Sequence, residues 1–160
     1  MRNFSKSKLL AFRQCPKRLW LEIQRPDLRE DSAATEVSFQ IGHQVGDIAR
    51  QIYDPKNLGA LIDVPSEGIK QALERTEQLV KLSHPIFEAG FCAGGALAFV
   101  DVMLPKLVDG KQVWDMMEIK SSTSIKDYHR DDLAMQAFVA QSAGVALHRI
   151  ALAHIYRSWI

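Results

Sequence analysis

The dipeptide Asp109-Gly110 constrains the fold of this 160-residue chain more than any other feature, because it separates two apolar runs. Asp-Gly between such runs is typical of a tight β-hairpin with a two-residue turn. If these residues form the turn, the numbers of paired residues sum to 219, which places Asp101 directly opposite Glu118. A wider turn near Pro105 that slips one strand by one residue would instead separate the two acids onto opposite faces.

Side chains alternate along a strand, so Lys120 shares a face with Glu118 and, in this register, with Asp101. Directly opposed carboxylates have β-carbons about 5 Å apart and repel each other. A divalent cation between them would remove that repulsion. The hairpin therefore indicates a metal-dependent phosphodiesterase site, and the alternative is an exposed hairpin whose charges are solvated.

Composition places the chain among globular proteins, with 47% hydrophobic and 24% charged residues. Its length suits a single domain covering residues 1–160. The net charge of +1 gives no overall field that would attract nucleic acid. The residues before the first acid, Glu22, are nevertheless basic, a pattern compatible with phosphate contact or with a solvated helix surface. These basic residues are Arg2, Lys6, Lys8, Arg13, Lys17 and Arg18.

We expect a cytoplasmic protein without membrane contact. The start of the chain lacks the apolar stretch of a signal peptide, and no segment approaches the ~20 apolar residues that span a bilayer. Two cysteines, Cys15 and Cys92, give no disulfide framework, which fits a reducing compartment.

Hydrophobic periodicity and turn residues predict a mixed sheet flanked by helices, of class α/β or α+β. Ser5 and Pro16 are expected to begin two short helices, and longer helices are expected over 36–53, 66–82 and 131–143. Strands are expected over 59–64, 85–91 and 149–156, besides the two arms of the hairpin. The polar stretch 25–35 is expected to be a loop.

Further candidates for a site lie outside the hairpin. His43 lies between Gly42 and Gly46 and is either a surface histidine or a metal ligand on a helix that approaches the sheet closely. Glu88 follows Ile86 and Phe87 and is either an exposed edge residue or another acid near the metal.

On the helix after the hairpin, Asp132 and Gln136 are four residues apart and share a face, with Tyr128 one turn earlier. A polar face turned to solvent is the simpler interpretation, and delivery of Gln136 to the edge of a site is the functional one.

Taken together, these residues resemble the RecB-like branch of the PD-(D/E)XK nucleases. The ordered motif comprises His43, Glu88, Asp101, Glu118-Ile119-Lys120 and Gln136. The opening SKSKLLAFRQCPKRLWLE is similar to the start of the CRISPR-associated exonucleases of that branch, and to a related bacterial domain family of unassigned function. The resemblance spans about residues 5–156 and implies a restriction-endonuclease-like core.

The resemblance implies a role for each residue of the motif. Asp101 and Glu118 would bind Mg²⁺ or Mn²⁺, with His43 and the backbone carbonyl of Ile119 completing the ligand shell. Lys120 would orient the attacking water and stabilise charge on the phosphate of a DNA substrate.

Accessory roles follow from the same resemblance. Gln136 would position its helix and the substrate beside the metal, Glu88 would hold a water or a second ion, and Tyr128 would assist from the helix end.

Two departures from the family pattern alter these expectations. Cys15 stands where related exonucleases place the first ligand of an iron–sulfur cluster, but no three cysteines follow near the end, so we expect no cluster and a packed Cys15 thiol. Ala140 stands where a tyrosine is usual. The chain is expected to be truncated at its C-terminus. Its expected partner, besides DNA, is the missing C-terminal region or a larger nucleic-acid-processing assembly. The alternative function is a non-catalytic nucleic-acid-binding or assembly module that retains the nuclease fold.

Overall fold

A six-stranded mixed sheet forms the centre of the fold. In the computed structural model, residues 4–28 and 33–156 are described. The strands are β1 (Phe4–Ser5), β2 (Ala60–Leu61), β3 (Ile86–Ala93), β4 (Ala96–Val108), β5 (Lys111–Lys120) and β6 (Leu147–His154). Their order is β2-β3-β4-β5-β6, with β1 beside β4. The β3-β4-β5 meander is antiparallel, and the remaining pairs are parallel.

The helices are α1 (Lys6–Gln14), α2 (Pro16–Gln24), α3 (Ala33–Tyr53), α4 (Val64–Glu67), α5 (Ile69–Leu79) and α6 (Asp127–Ser142). None of the helices in the described ranges is long and apolar enough to cross a membrane. The architecture is therefore mixed α/β, with helices flanking the sheet, as the sequence predicted.

The predicted hairpin register is confirmed. Pairs run from Val108 with Lys111 back to Val102 with Met117, so every pair sums to 219. The turn residues Asp109 and Gly110 have φ values of 50° and 74°. Positive φ at both central positions is what a type I′ turn requires, and its twist matches that of the strands.

Beyond Met117 the two arms of the hairpin no longer pair with each other. β5 stays paired with β6 as far as Lys120, whereas Ala96 and Leu97 of β4 pair with β1. These two residues of β4 also pair with β3 on their other side. β1 therefore occupies the edge of β4 that β5 leaves.

The pairing of β3 with β4 is regular except at one position. Phe87 pairs with Val102 and Ala89 with Val100, but Glu88 between them has φ of 58° and makes no pair. A positive φ is strained for a residue with a side chain. The interruption lies beside Asp101.

The apolar core lies between the sheet and α5 and α6. Fully buried members include Ile86, Val100, Met103, Met116 and Val139. Burying one such side chain contributes about 1.5–3 kcal/mol, so these contacts fix the position of α6 against the strands.

Most predicted elements are confirmed, with shifted ends. Ser5 is the N-cap of α1, where its hydroxyl accepts a hydrogen bond from the Lys8 amide at 3.4 Å. The predicted helix over 66–82 is wrong at its start, since Gly68, with φ of 81°, separates α4 from α5. The predicted strand over 59–64 is reduced to β2, and α6 begins at Asp127 rather than Asp131.

The prediction of a loop over 25–35 is wrong at both ends. Pro26–Leu28 forms a 3₁₀ helix, and α3 begins at Ala33. Residues 29–32 of this stretch lie outside the described part of the chain, as does Arg2 of the basic N-terminal group.

Most of the apolar stripe of α3 is exposed, and Val45 is the half-buried exception. Val37, Ile41, Ile48 and Ile52 are exposed, and Ala49 is buried instead. Helical spacing identified the helix correctly, but it did not identify which face packs on the sheet.

Candidate functional site

Three acidic residues on adjacent strands form a row across the sheet. Glu88 of β3 lies between two residues whose β4 partners, Val102 and Val100, flank Asp101. Asp101 and Glu118 lie next to the last pair of the hairpin, Val102 with Met117, and the predicted direct pairing of these two acids does not form. All three residues line one cavity of about 230 Å³, together with Ile119. The row lies where β4 and β5 stop pairing, so the divergence of the strands opens the sheet at the acids.

Helix α3 provides the facing wall of this acidic cavity. His43, Arg50 and the two glycines Gly42 and Gly46 line it. A β-carbon added at either glycine would meet no atom within 4 Å. The small size of these two residues is therefore not what brings the helix close to the sheet, although His43 does reach the same cavity as the acids.

The side chain of Asp101 links β4 to β5 where the two backbones no longer pair. Its Oδ2 accepts a hydrogen bond from the Ile119 amide at 2.6 Å, at a position where the backbone of β4 no longer pairs with β5. Burial and the negative charges of Glu118 and Glu88 together raise the pKa of Asp101 to about 8, against the opposing effects of Lys6 and of the Ile119 hydrogen bond. Burial and repulsion within the row thus favour the protonated form of Asp101 when no cation is present.

Glu118 is the centre of a network of charged hydrogen bonds. It is only 1% exposed. Its Oε1 accepts from the ammonium groups of Lys120 at 2.5 Å and Lys6 at 3.0 Å, and its Oε2 accepts from the Gln136 amide at 2.6 Å. The alternation predicted for β5 is confirmed, since Lys120 and Glu118 meet on one face.

Asp132 of α6 is the second acid of this network. Its Oδ2 accepts from Lys120 at 2.6 Å, and its Oδ1 lies 3.1 Å from the Lys6 ammonium and 3.0 Å from the Gln136 amide nitrogen. Burial would raise the pKa of Asp132, but the two lysines lower it overall. Burial alone would lower the pKa of each lysine, but the neighbouring acids, above all Glu118 and Asp132, together outweigh it, so the pKa of both Lys6 and Lys120 is raised.

Gln136 has an unusual environment. The side chain is fully buried, and its Oε1 has no hydrogen-bond partner among the residues that the structure describes. An unsatisfied buried acceptor costs about 1–3 kcal/mol. The Gln136 side-chain nitrogen donates to Glu118 and to Asp132. This indicates that Gln136 orients both acids, while its own oxygen stays without a hydrogen bond.

Glu88 is the strained member of the acidic row. The residue is exposed, and its backbone has φ of 58°. Partial desolvation by the surrounding protein raises the pKa of its carboxyl group, and the negative charge of Glu118 also raises it. Backbone strain of this kind costs on the order of 1–3 kcal/mol and is concentrated at functional sites.

The structure separates the sequence-predicted residues into two connected groups. His43, Glu88, Asp101, Glu118 and Ile119 line the acidic cavity. Lys120 and Gln136 do not line it and instead contact Glu118 through the buried network.

Two other predicted positions lie apart. Tyr128 is half exposed, contacts the ring of His129 and the ammonium of Lys126, and lines a different cavity of about 690 Å³ beside Arg13. Cys15 is exposed between α1 and α2, so the prediction of a packed thiol is wrong.

Lys6 and Asp132 are functional candidates that sequence reasoning missed. Asp132 was noted for its spacing to Gln136, and Lys6 belonged to the basic N-terminal group, but neither pattern indicated the network. The position of Lys6 directly after the capping residue Ser5 fixes its place on α1, but it does not predict a contact with Glu118.

The donors around the acidic cavity suit a hard divalent cation in their chemistry, since three carboxylates and one imidazole face it. Within residues 4–28 and 33–156, no three histidine, cysteine or acidic side chains are grouped closely enough to form a metal site. Both Glu118 oxygens are engaged by nitrogen donors of the protein itself. The side chains that line the cavity are thus of the types that bind a hard cation. One of these candidate ligands, Glu118, already accepts hydrogen bonds from the protein.

No protein-family model matches the chain, and searches of curated proteins and of solved structures find no match either.

Proposed function

We propose that this chain is a divalent-metal-dependent nuclease with a restriction-endonuclease-like core of the RecB-like type, which hydrolyses phosphodiester bonds of DNA in an exonuclease-like manner. The observation that supports the proposal is the row of Glu88, Asp101 and Glu118 in one cavity, with the Lys120 ammonium 2.5 Å from Glu118. A row of neighbouring acids, of which Glu118 is buried, is unfavourable by itself, and a divalent cation compensates the repulsion.

Asp101, Glu118, His43 and the backbone carbonyl of Ile119 are the groups that would hold Mg²⁺ or Mn²⁺. Such an ion acts as a Lewis acid on the phosphate and lowers the pKa of a bound water. Glu88, on the same cavity wall, would hold a water or a second cation.

Lys120, Asp132 and Gln136 would orient the reacting groups and balance their charge. Lys120 would orient the attacking water and stabilise negative charge on the phosphate, while Asp132 fixes the lysine through a 2.6 Å contact. Gln136 fixes the Glu118 carboxylate from the other side at 2.6 Å.

Exposed basic residues on α1 and α2 are available for the DNA backbone. Arg13, Lys17 and Arg18 are all exposed, although Arg13 and Arg18 also form ion pairs with acids of the protein. Partly neutralised arginines of this kind suit a modest, salt-dependent affinity for phosphate. A cytoplasmic location remains part of the proposal.

The proposal is tested with the purified chain and end-labelled linear DNA, single- and double-stranded, in Mg²⁺ or Mn²⁺. We expect degradation that EDTA abolishes and that Lys120→Ala reduces by about 10²–10³-fold, the usual effect of removing one charge-stabilising group. Lys111→Ala, at the other end of β5, is the matched control and should cleave like the wild type. Cleavage that persists in Lys120→Ala would overturn the proposed role of the site.

A second candidate is a non-catalytic nucleic-acid-binding or assembly module. The observation that favours it is that both oxygens of Glu118 already have protein partners, as in a structural ion-pair network. DNA binding without cleavage in either metal would support this alternative.

A further inference from the structure

Lys6 reaches the site from the N-terminal end of the chain. It is the first residue of α1, directly after Ser5, which caps the helix and pairs with Leu97 in the sheet. Its ammonium lies 3.0 Å from Glu118 Oε1 and 3.1 Å from Asp132 Oδ1. The sheet and the helix cap together fix where this charge is placed.

The contacts of Glu118 fill one of its two oxygens with protein donors, since a carboxylate oxygen has two lone pairs. Oε1 accepts from two ammonium groups and Oε2 accepts from Gln136. A metal ion that binds Glu118 through Oε1 must therefore displace one of the two ammonium groups.

Lys6 is the donor best able to leave. Its side chain is 31% exposed, against 20% for Lys120, and Gln136 is fully buried. Lys6 also keeps a second partner, Asp132, when its contact with Glu118 is lost. Lys6 can therefore leave Glu118 while it stays paired with Asp132, and Asp132 keeps its contact with Lys120 in either case.

The charge count of the site supports the binding of a cation when all four acids are ionised. Glu88, Asp101, Glu118 and Asp132 carry up to four negative charges, and Lys6 and Lys120 supply two positive ones. Arg50, which also lines the cavity, is engaged by Asp47. The excess of two negative charges is what one divalent cation balances.

We propose that Lys6 is an internal counter-cation that holds Glu118 while the site is free of metal, and that a divalent cation displaces it from Glu118. This inference rests on the proposed function of the site. It makes Lys6 a positioning residue that sets the metal concentration at which the site fills, and it couples α1 to metal occupancy.

The first test is binding of Mn²⁺ alone, without DNA, measured by isothermal titration calorimetry. Lys6→Met removes the competing charge and should tighten binding by about tenfold or more, since a divalent ion and an ammonium a few ångströms apart repel strongly even at an effective dielectric constant near 20. Lys6→Arg keeps the charge and should bind Mn²⁺ within about threefold of the wild type. Lys8→Met, on the same helix, is the matched control and should leave the affinity unchanged.

The second test uses the unmodified chain and therefore does not depend on the folding of a variant. Acetylation of lysines by an amine-reactive ester, followed by mass spectrometry, should show Lys6 becoming more reactive when Mn²⁺ is added. Lys70 and Lys81, which are exposed and far less buried than Lys6, are the internal controls and should react equally in both conditions.

The outcomes separate this inference from the proposed function. Mn²⁺ affinity that is unchanged or weaker in Lys6→Met, or labelling of Lys6 that does not rise with Mn²⁺, would overturn the counter-cation role and leave a metal site in place. Absence of Mn²⁺ binding in the wild type and in every variant would overturn both.

Discussion

The two halves of the β4–β5 hairpin follow different rules. In the half next to the turn, seven consecutive backbone pairs follow from the Asp109-Gly110 turn. In the other half the strands do not pair, a carboxylate of Asp101 bonds the Ile119 amide, and β1 takes the free edge of β4. Local turn chemistry therefore determines the regular half, whereas contributions from distant segments determine the half that carries the acids.

The largest difference between the halves is expected in stability. Glu118→Ala leaves Lys6 and Lys120 with only Asp132 as a partner, and breaking a buried pair in this way costs about 3–5 kcal/mol in free energy of unfolding. Asp115→Ala, in the turn half of the same strand, removes a 2.7 Å contact to His148 near the surface and should cost less than about 1 kcal/mol. Urea denaturation of both variants measures the comparison, and equal losses would contradict it.

A smaller difference is expected in the pH dependence of stability. The pKa of Asp101 rises from 3.8 to about 8 on folding, so the folded protein keeps a proton that the unfolded chain releases in this window. The stabilisation is complete below 3.8 and is lost as the pH rises toward about 8. The free energy of unfolding should therefore fall between pH 6 and pH 8 in metal-free buffer.

Asp101→Asn is the control for this loss. Its amide oxygen can still accept from the Ile119 amide, but it does not titrate, so the variant should show a flatter profile over the same range. Parallel profiles for the variant and the wild type would show that Asp101 is not the group responsible.

The smallest expected effect concerns backbone strain. Glu88→Gly removes a side chain from a residue at φ of 58° and should stabilise the fold by about 1 kcal/mol while reducing cleavage. Gly110→Ala introduces the same type of strain in the turn and should destabilise by about 1 kcal/mol with cleavage unchanged, since its β-carbon would meet no atom within 4 Å. Thermal melts and cleavage assays of the two variants would show opposite changes in stability, and a destabilised Glu88→Gly would contradict the assignment of strain.

The sequence was sufficient where a local rule applied. Asp109-Gly110 gave the hairpin register, Ser5 gave the start of α1, and alternation brought Lys120 to Glu118. It was insufficient where tertiary contacts decide. The break at Gly68 depends on a positive φ that the spacing of apolar residues does not reveal.

The site was predictable only in part for the same reason. The acids and His43 share one cavity, but the lysine that contacts Glu118 from α1 is separated from it by most of the chain. No pattern within a helix or strand encodes a contact of that range. The exposed stripe of α3 shows the converse, because apolar spacing is present there without burial.

The pairing of β1 with β4 has a consequence for how the protein assembles. Phe4 and Ser5 can find Ala96 and Leu97 only after synthesis has passed the middle of the chain, and closing so long a loop is entropically slow. During translation the meander can form first, with Glu118 compensated by Lys120 of the same strand, and docking of the N-terminal segment adds the Lys6 charge as a late step. The contact between Lys6 and Glu118 would then form only after the ribosome has released the strands of the meander.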